Sequence, residues 1–312
     1  MPLLDRYVPD LYARLLNETV KHRVEAIILT LGMLAFFIHL VLIGLENAGC
    51  LPFDDEAIFR DPISAIYTPF SFILIYEVFL LIYFIPTSFT ASIAKQYEVI
   101  SLLIARDIFH DIAELDKGNT WYTSMDNLYL VLDAVGLLVI FFAIYQFHRL
   151  QGQSPRAAVT ARIRRFITIK QAIAVALIPV VIGLLLFSTA DWLLAALENH
   201  AMMLSEFKNI DKVFYDDFFK VLIVVDVFIL LFSFPYSTSY AQVMRNTGFV
   251  ISTILLRLSF TSAPILDILL VVSAIAFGFL TLVIYNHVEA INTSEQTLPN
   301  ASKPVEQTPT DY

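Results

Sequence analysis

The chain reads as an all-α, polytopic integral membrane protein with eight transmembrane helices in two tandem four-helix repeats. Three observations carry this. The composition is too apolar for water: 58% of the 312 residues are hydrophobic, 16% are charged, and the mean hydropathy is +0.71, where a soluble domain carries about 25% charged residues. Hydropathy marks runs long enough to cross the bilayer, which takes about 20 helical residues. Polar landmarks recur in the same order in both halves of the chain.

The first 23 residues place Leu4, Tyr7, Val8, Leu11 and Leu15 on one stripe among Asp5, Arg6, Asp10 and Arg14, the pattern of a helix lying on the cytoplasmic interface. Six apolar runs follow, at Val24–Leu45, Ala65–Pro86, Asn127–Phe147, Gln171–Ala190, Phe218–Pro235 and Pro264–Asn286. Two further segments, Thr90–His110 and Tyr240–Phe260, are more polar and hydropathy alone makes them interfacial. The repeat argues that they cross. Glu77-Val78-Phe79-Leu80-Leu81 recurs as Asp226-Val227-Phe228-Ile229-Leu230, and Pro86 and Pro235 follow each acid at the same spacing. Val99-Ile100-Ser101 with Arg106 and Phe109 recurs as Val250-Ile251-Ser252 with Arg257 and Phe260. Tyr145-Gln146 and Tyr285-Asn286 close the last span of each half.

Lysines and arginines near span ends favour the cytoplasmic side, and they choose between two topologies. Eight spans put Arg6, Arg14, Lys21, Arg23, Lys95, Arg149, Arg156, Arg162, Arg164, Arg165, Lys170, Arg245 and Lys303 inside, with only Arg60, Lys117, Lys208, Lys212 and Lys220 outside. The alternative, six spans in two inverted three-helix repeats with two interfacial helices, moves the basic loop Arg149–Lys170 outside and nearly balances the two sides. The eight-span reading divides the chain into an interfacial helix at 1–23, a membrane repeat at 24–149, a basic cytoplasmic linker at 150–170, a second repeat at 171–287 and a disordered tail at 288–312, Val288 onward being rich in Thr, Pro, Asn, Glu and Gln. Both termini are cytoplasmic, and the expected location is the cell membrane.

Charges inside the bilayer are costly and mark function or helix clamping. Glu77 and Asp226 fall near the middle of the second span of each half, with no basic residue at clearly equal depth except His39 in the first span. They are candidate proton-binding or ion-binding groups. Arg106 with Asp133, and Arg257 with Asp267, fall at matched depths on consecutive helices and are expected to form structural ion pairs. In Thr90–His110, Lys95, Glu98, Arg106 and His110 share one arc while Ile93, Tyr97, Ile100, Ile104 and Ile108 take the other, so the segment crosses only with its polar stripe turned inward. Pro179 is expected to kink its span, and Trp121 and Trp192 to anchor at the interface.

The sequence excludes several classes. A single cysteine, Cys50, allows no disulfide framework, and no spacing of the six histidines makes a metal site. The net charge of −9 argues against nucleic acid. No phosphate-binding loop, nucleophile elbow or kinase signature occurs, so no enzyme activity and no cofactor is expected. A voltage sensor needs basic residues at every third position, which neither Thr90–His110 nor Tyr240–Phe260 offers. The leading expectation is a secondary transporter or channel for protons or a small cation. The alternative is a non-transporting membrane scaffold or regulatory subunit, and a lipid-modifying enzyme has least support. Expected partners are the lipid bilayer, the carried proton or cation, and further copies of the chain in a homo-oligomer.

Overall fold

The computed structural model describes residues 2–49, 65–114, 125–152, 160–198, 207–237, 239–260, 262 and 264–297. Among them there are nine α-helices and no strand: α1 (Pro2–Leu15), α2 (Glu18–Asn47), α3 (Tyr67–Tyr83), α4 (Phe89–Glu114), α5 (Met125–Gln151), α6 (Ala161–Glu198), α7 (Phe207–Ser233), α8 (Tyr240–Ser259) and α9 (Pro264–Thr297). A helix therefore covers each of the eight expected segments. Among the described residues five stretches are long and apolar enough to cross a membrane, namely Tyr7–Asn47, Leu130–Gln151, Ala161–Ala190, Asp216–Tyr236 and Leu266–Ile291, while Thr68–Tyr83 is apolar but shorter.

Local chemistry sets the boundaries. Asn17 separates α1 from α2, its Oδ1 accepting from the Val20 amide at 2.7 Å while its backbone is extended, as a helix cap requires. The turns between α3 and α4 and between α7 and α8 are built alike. Pro86 and Pro235 follow the preceding helix, and Ser88 and Ser239 accept from the amides of Ala91 and Gln242. Gly49, at φ 71°, provides the left-handed residue that ends α2.

Two expectations change. The composition puts the tail from Val288, but α9 continues to Thr297; elongating a formed helix adds one hydrogen bond per residue without a new nucleus, and Val288 still packs on the core. The basic linker is likewise shorter than 150–170, because α5 runs to Gln151 and α6 starts at Ala161, capped by Thr160. Pro179 lies within a continuous α6. Trp121 lies outside the described residues.

The packing inverts the hydropathy order. The apolar helices expose large side chains, such as Ile27, Leu31, Leu34, Phe37 and Val41 on α2 and Leu138 and Phe142 on α5, which is the surface expected against lipid rather than water. The more polar α4 and α8 lie inside. Tyr97, Ile93, Ile100 and Ile104 of α4 and Phe249, Val250 and Leu256 of α8 are almost wholly buried. Consecutive helices pack within 2–5 and within 6–9, and across the molecule α4 meets α8 and α5 meets α9. Helix α1 rests on α6, and its Tyr12 hydroxyl donates to the Tyr83 carbonyl at the end of α3 at 3.3 Å.

Candidate functional site

The polar groups of the second half converge where α4, α6, α7 and α8 meet. The Asp226 carboxylate on α7 stands 2.7 Å from the Arg257 guanidinium of α8, and the Thr253 hydroxyl, one turn before Arg257, donates to the same carboxylate oxygen at 2.9 Å. Arg257 also donates to Oε1 of Gln96 on α4 at 2.9 Å, so one guanidinium ties three helices. Beside this cluster the Tyr97 hydroxyl and Ser252 share a 2.6 Å hydrogen bond, and Ser252 donates to the Ala274 carbonyl of α9. Tyr97 is large where its counterpart in the repeat, Gly248, is small.

A fourth helix contributes Lys170. Only 3% exposed, it donates to the Thr87 carbonyl and lies 4.9 Å from the Phe89 ring centre. Lys170, Asp226, Gln96, Thr253 and Ser92 line one small cavity together with apolar side chains. Its volume is about 20 Å³, room for one or two water molecules.

The expected pairing of Arg257 with Asp267 is corrected: Arg257 binds Asp226, and Asp267 stands beside Ser259 at the start of α9. Helix geometry explains this. Side chains tilt toward the N-terminus of their helix. α7 begins and α8 ends at the same edge of the bundle, so Arg257 leans away from that edge and Asp226 toward it, and they meet. Asp267, four residues into α9, leans out toward the edge. The expectation that Asp226 has no cation at its depth falls for the same reason.

In the first half Glu77 is 2% exposed, and its Oε2 accepts no hydrogen bond among the described residues. Arg106 of the next helix is near enough to act on it electrostatically, though not in the close pairing that Arg257 makes with Asp226. Arg106 itself donates to the adjacent Asp107 through Nε at 3.1 Å and Nη2 at 2.8 Å. Asp133 is half-buried on α5. His39 does not join Glu77. Its Nδ1 lies 2.6 Å from the Thr68 hydroxyl, and Thr68 precedes Glu77 by nine residues, about 13.5 Å along α3. The α4 stripe splits rather than turning inward as a whole: half-exposed Lys95 and Glu98 pair at 2.6 Å, and His148 of α5 meets Glu98 at 2.8 Å.

Gln96, Thr253 and Lys170 were not singled out from the sequence as site residues. Thr253 could have been, because four residues before Arg257 places its hydroxyl on the same helix face. Lys170 reads in the sequence as part of a basic linker.

Among the described residues no group of three His, Cys, Asp or Glu side chains could hold a metal. Apolar spans outside and a buried polar cluster inside are the features of a helical membrane protein. Comparison with known proteins finds no matching family model, no similar curated protein and no similar solved structure.

Proposed function

We propose that the chain crosses the cell membrane eight times as two tandem four-helix halves, α2–α5 and α6–α9, with both termini cytoplasmic, and that it carries protons through the matched acids Glu77 and Asp226. The repeat is supported by which helices meet across the molecule, since α4 with α8 and α5 with α9 are the pairs that a two-fold relation between the halves would bring together. Eight crossings follow the distribution of basic residues.

The observation that carries the function is the recurrence of one unit, an acid on the second helix of a half beside an arginine on the third. Such acids inside a membrane are costly and commonly serve proton relays. The small volume beside Asp226 favours a proton over a hydrated cation. The scaffold reading is favoured by one feature, the tie that Arg257 makes between α4, α7 and α8.

Proton flux in liposomes separates them. With purified protein and a potassium-driven membrane potential, an internal pH dye should report flux that Glu77→Gln and Asp226→Asn each lower at least tenfold in monodisperse protein. Absence of flux in the unaltered protein, with the substitutions changing only stability, supports the scaffold.

A further inference from the structure

The cavity between α4, α6, α7 and α8 is lined by one cation, Lys170, and one acid, Asp226. Arg257 does not line it but pairs with Asp226 from α8, so the cluster as a whole carries one surplus positive charge. That acid is already engaged by Arg257 at 2.7 Å and Thr253 at 2.9 Å. Lys170 uses one N–H on the Thr87 carbonyl, and no carboxylate among the described residues lies within ion-pair distance of it. A buried ammonium is costly unless it is paired, and the acid that acts on Lys170, Asp226, is shared with Arg257.

The remaining polar groups of the cavity are donors. Arginine only donates, so the Gln96 oxygen must face Arg257 and its amide NH₂ is left over. The Ser92 hydroxyl donates to no acceptor among the described residues, and it lines the same space. An ammonium, an amide and a hydroxyl thus surround a volume of about 20 Å³. Exposed Arg162, Arg164 and Arg165 lie five to eight residues before Lys170 on α6 and add positive potential at that end of the helix.

We propose that this cavity binds a small monovalent anion, held by Lys170 with help from the Gln96 amide and the Ser92 hydroxyl. One surplus charge sets the valence, and the small volume favours a compact anion such as a halide or nitrate. The site shares Asp226 with the proposed proton path, and binding is read in micelles whether or not any ion crosses a membrane, so the two readings fail separately.

The test is thermal unfolding of the purified full chain in non-ionic detergent, titrated with sodium chloride or sodium nitrate against sodium gluconate at matched ionic strength. The expected result is a saturable rise in Tm with chloride or nitrate that gluconate does not give. Lys170→Met should abolish it. Ser92→Ala, a small change at a half-buried position, should raise the half-saturating concentration several-fold, and so tests the site even where Lys170→Met fails to fold. No saturable rise in the unaltered chain, or a rise unchanged in Ser92→Ala or in folded Lys170→Met, overturns the proposal.

Discussion

Replacing Arg257 with methionine is expected to destabilise the protein by about 3–5 kcal/mol, because it takes from the largely buried Asp226 the guanidinium paired with it at 2.7 Å. The length and volume of the side chain are nearly kept, so little of the effect comes from a cavity. Three helices lose their common tie at once, since Arg257 joins Asp226 of α7 and Gln96 of α4. The double variant Asp226→Leu/Arg257→Met should recover most of the loss, as hydrophobic replacement of whole buried ion pairs does elsewhere. Unfolding in mixed micelles of increasing SDS fraction measures both. A single variant as stable as the parent would mean that the pair contributes nothing to the bundle.

The second large effect is expected at Gly278 of α9. A Cβ there would overlap the Tyr97 hydroxyl and stand 3.0 Å from Ser252 Oγ and 3.1 Å from Tyr97 Cζ. Tyr97 has nowhere to go. It is wholly buried, and its ring packs edge-on against Phe147 with centroids 5.2 Å apart. Gly278→Ala should therefore cost about 1–3 kcal/mol from overpacking, with the Tyr97–Ser252 hydrogen bond lost in addition. Gly183→Ala on α6 is the control, because nothing lies within 4 Å of the added Cβ, and alanine is favoured over glycine inside a helix by up to about 1 kcal/mol. The same unfolding measurement should give opposite signs at the two positions.

The helices were legible in the sequence because apolar length and the turn residues Pro86, Ser88, Pro235 and Ser239 act locally. The burial of α4 and α8 was legible only through the repeat, since their own hydropathy sends them to the interface. The site was half legible. Asp226 and Arg257 stood out as charges in apolar surroundings, but depth counted along the chain gave Arg257 the wrong partner. A guanidinium reaches well beyond its own Cα, and the tilt of side chains in antiparallel helices decides which neighbour it meets. Lys170 was hidden by its neighbours: Arg162, Arg164 and Arg165 make a basic run, and only the packing of α6 against the α3–α4 turn separates the one buried cation from the exposed ones. The contact between Tyr97 and Gly278, far apart in sequence, has no local signature at all.

Every placement of Glu77, Asp226 and the anion cavity within the membrane rests on two parallel four-helix halves, and cysteine labelling tests that arrangement most directly. In a Cys50→Ser background, single cysteines replacing Gly118 and Gly152 should react with an impermeant maleimide from opposite sides of intact cells or spheroplasts. Gly118→Cys should be labelled from outside, and Gly152→Cys only after the membrane is opened. Both positions on one side, or the reverse assignment, would contradict eight crossings with a cytoplasmic N-terminus.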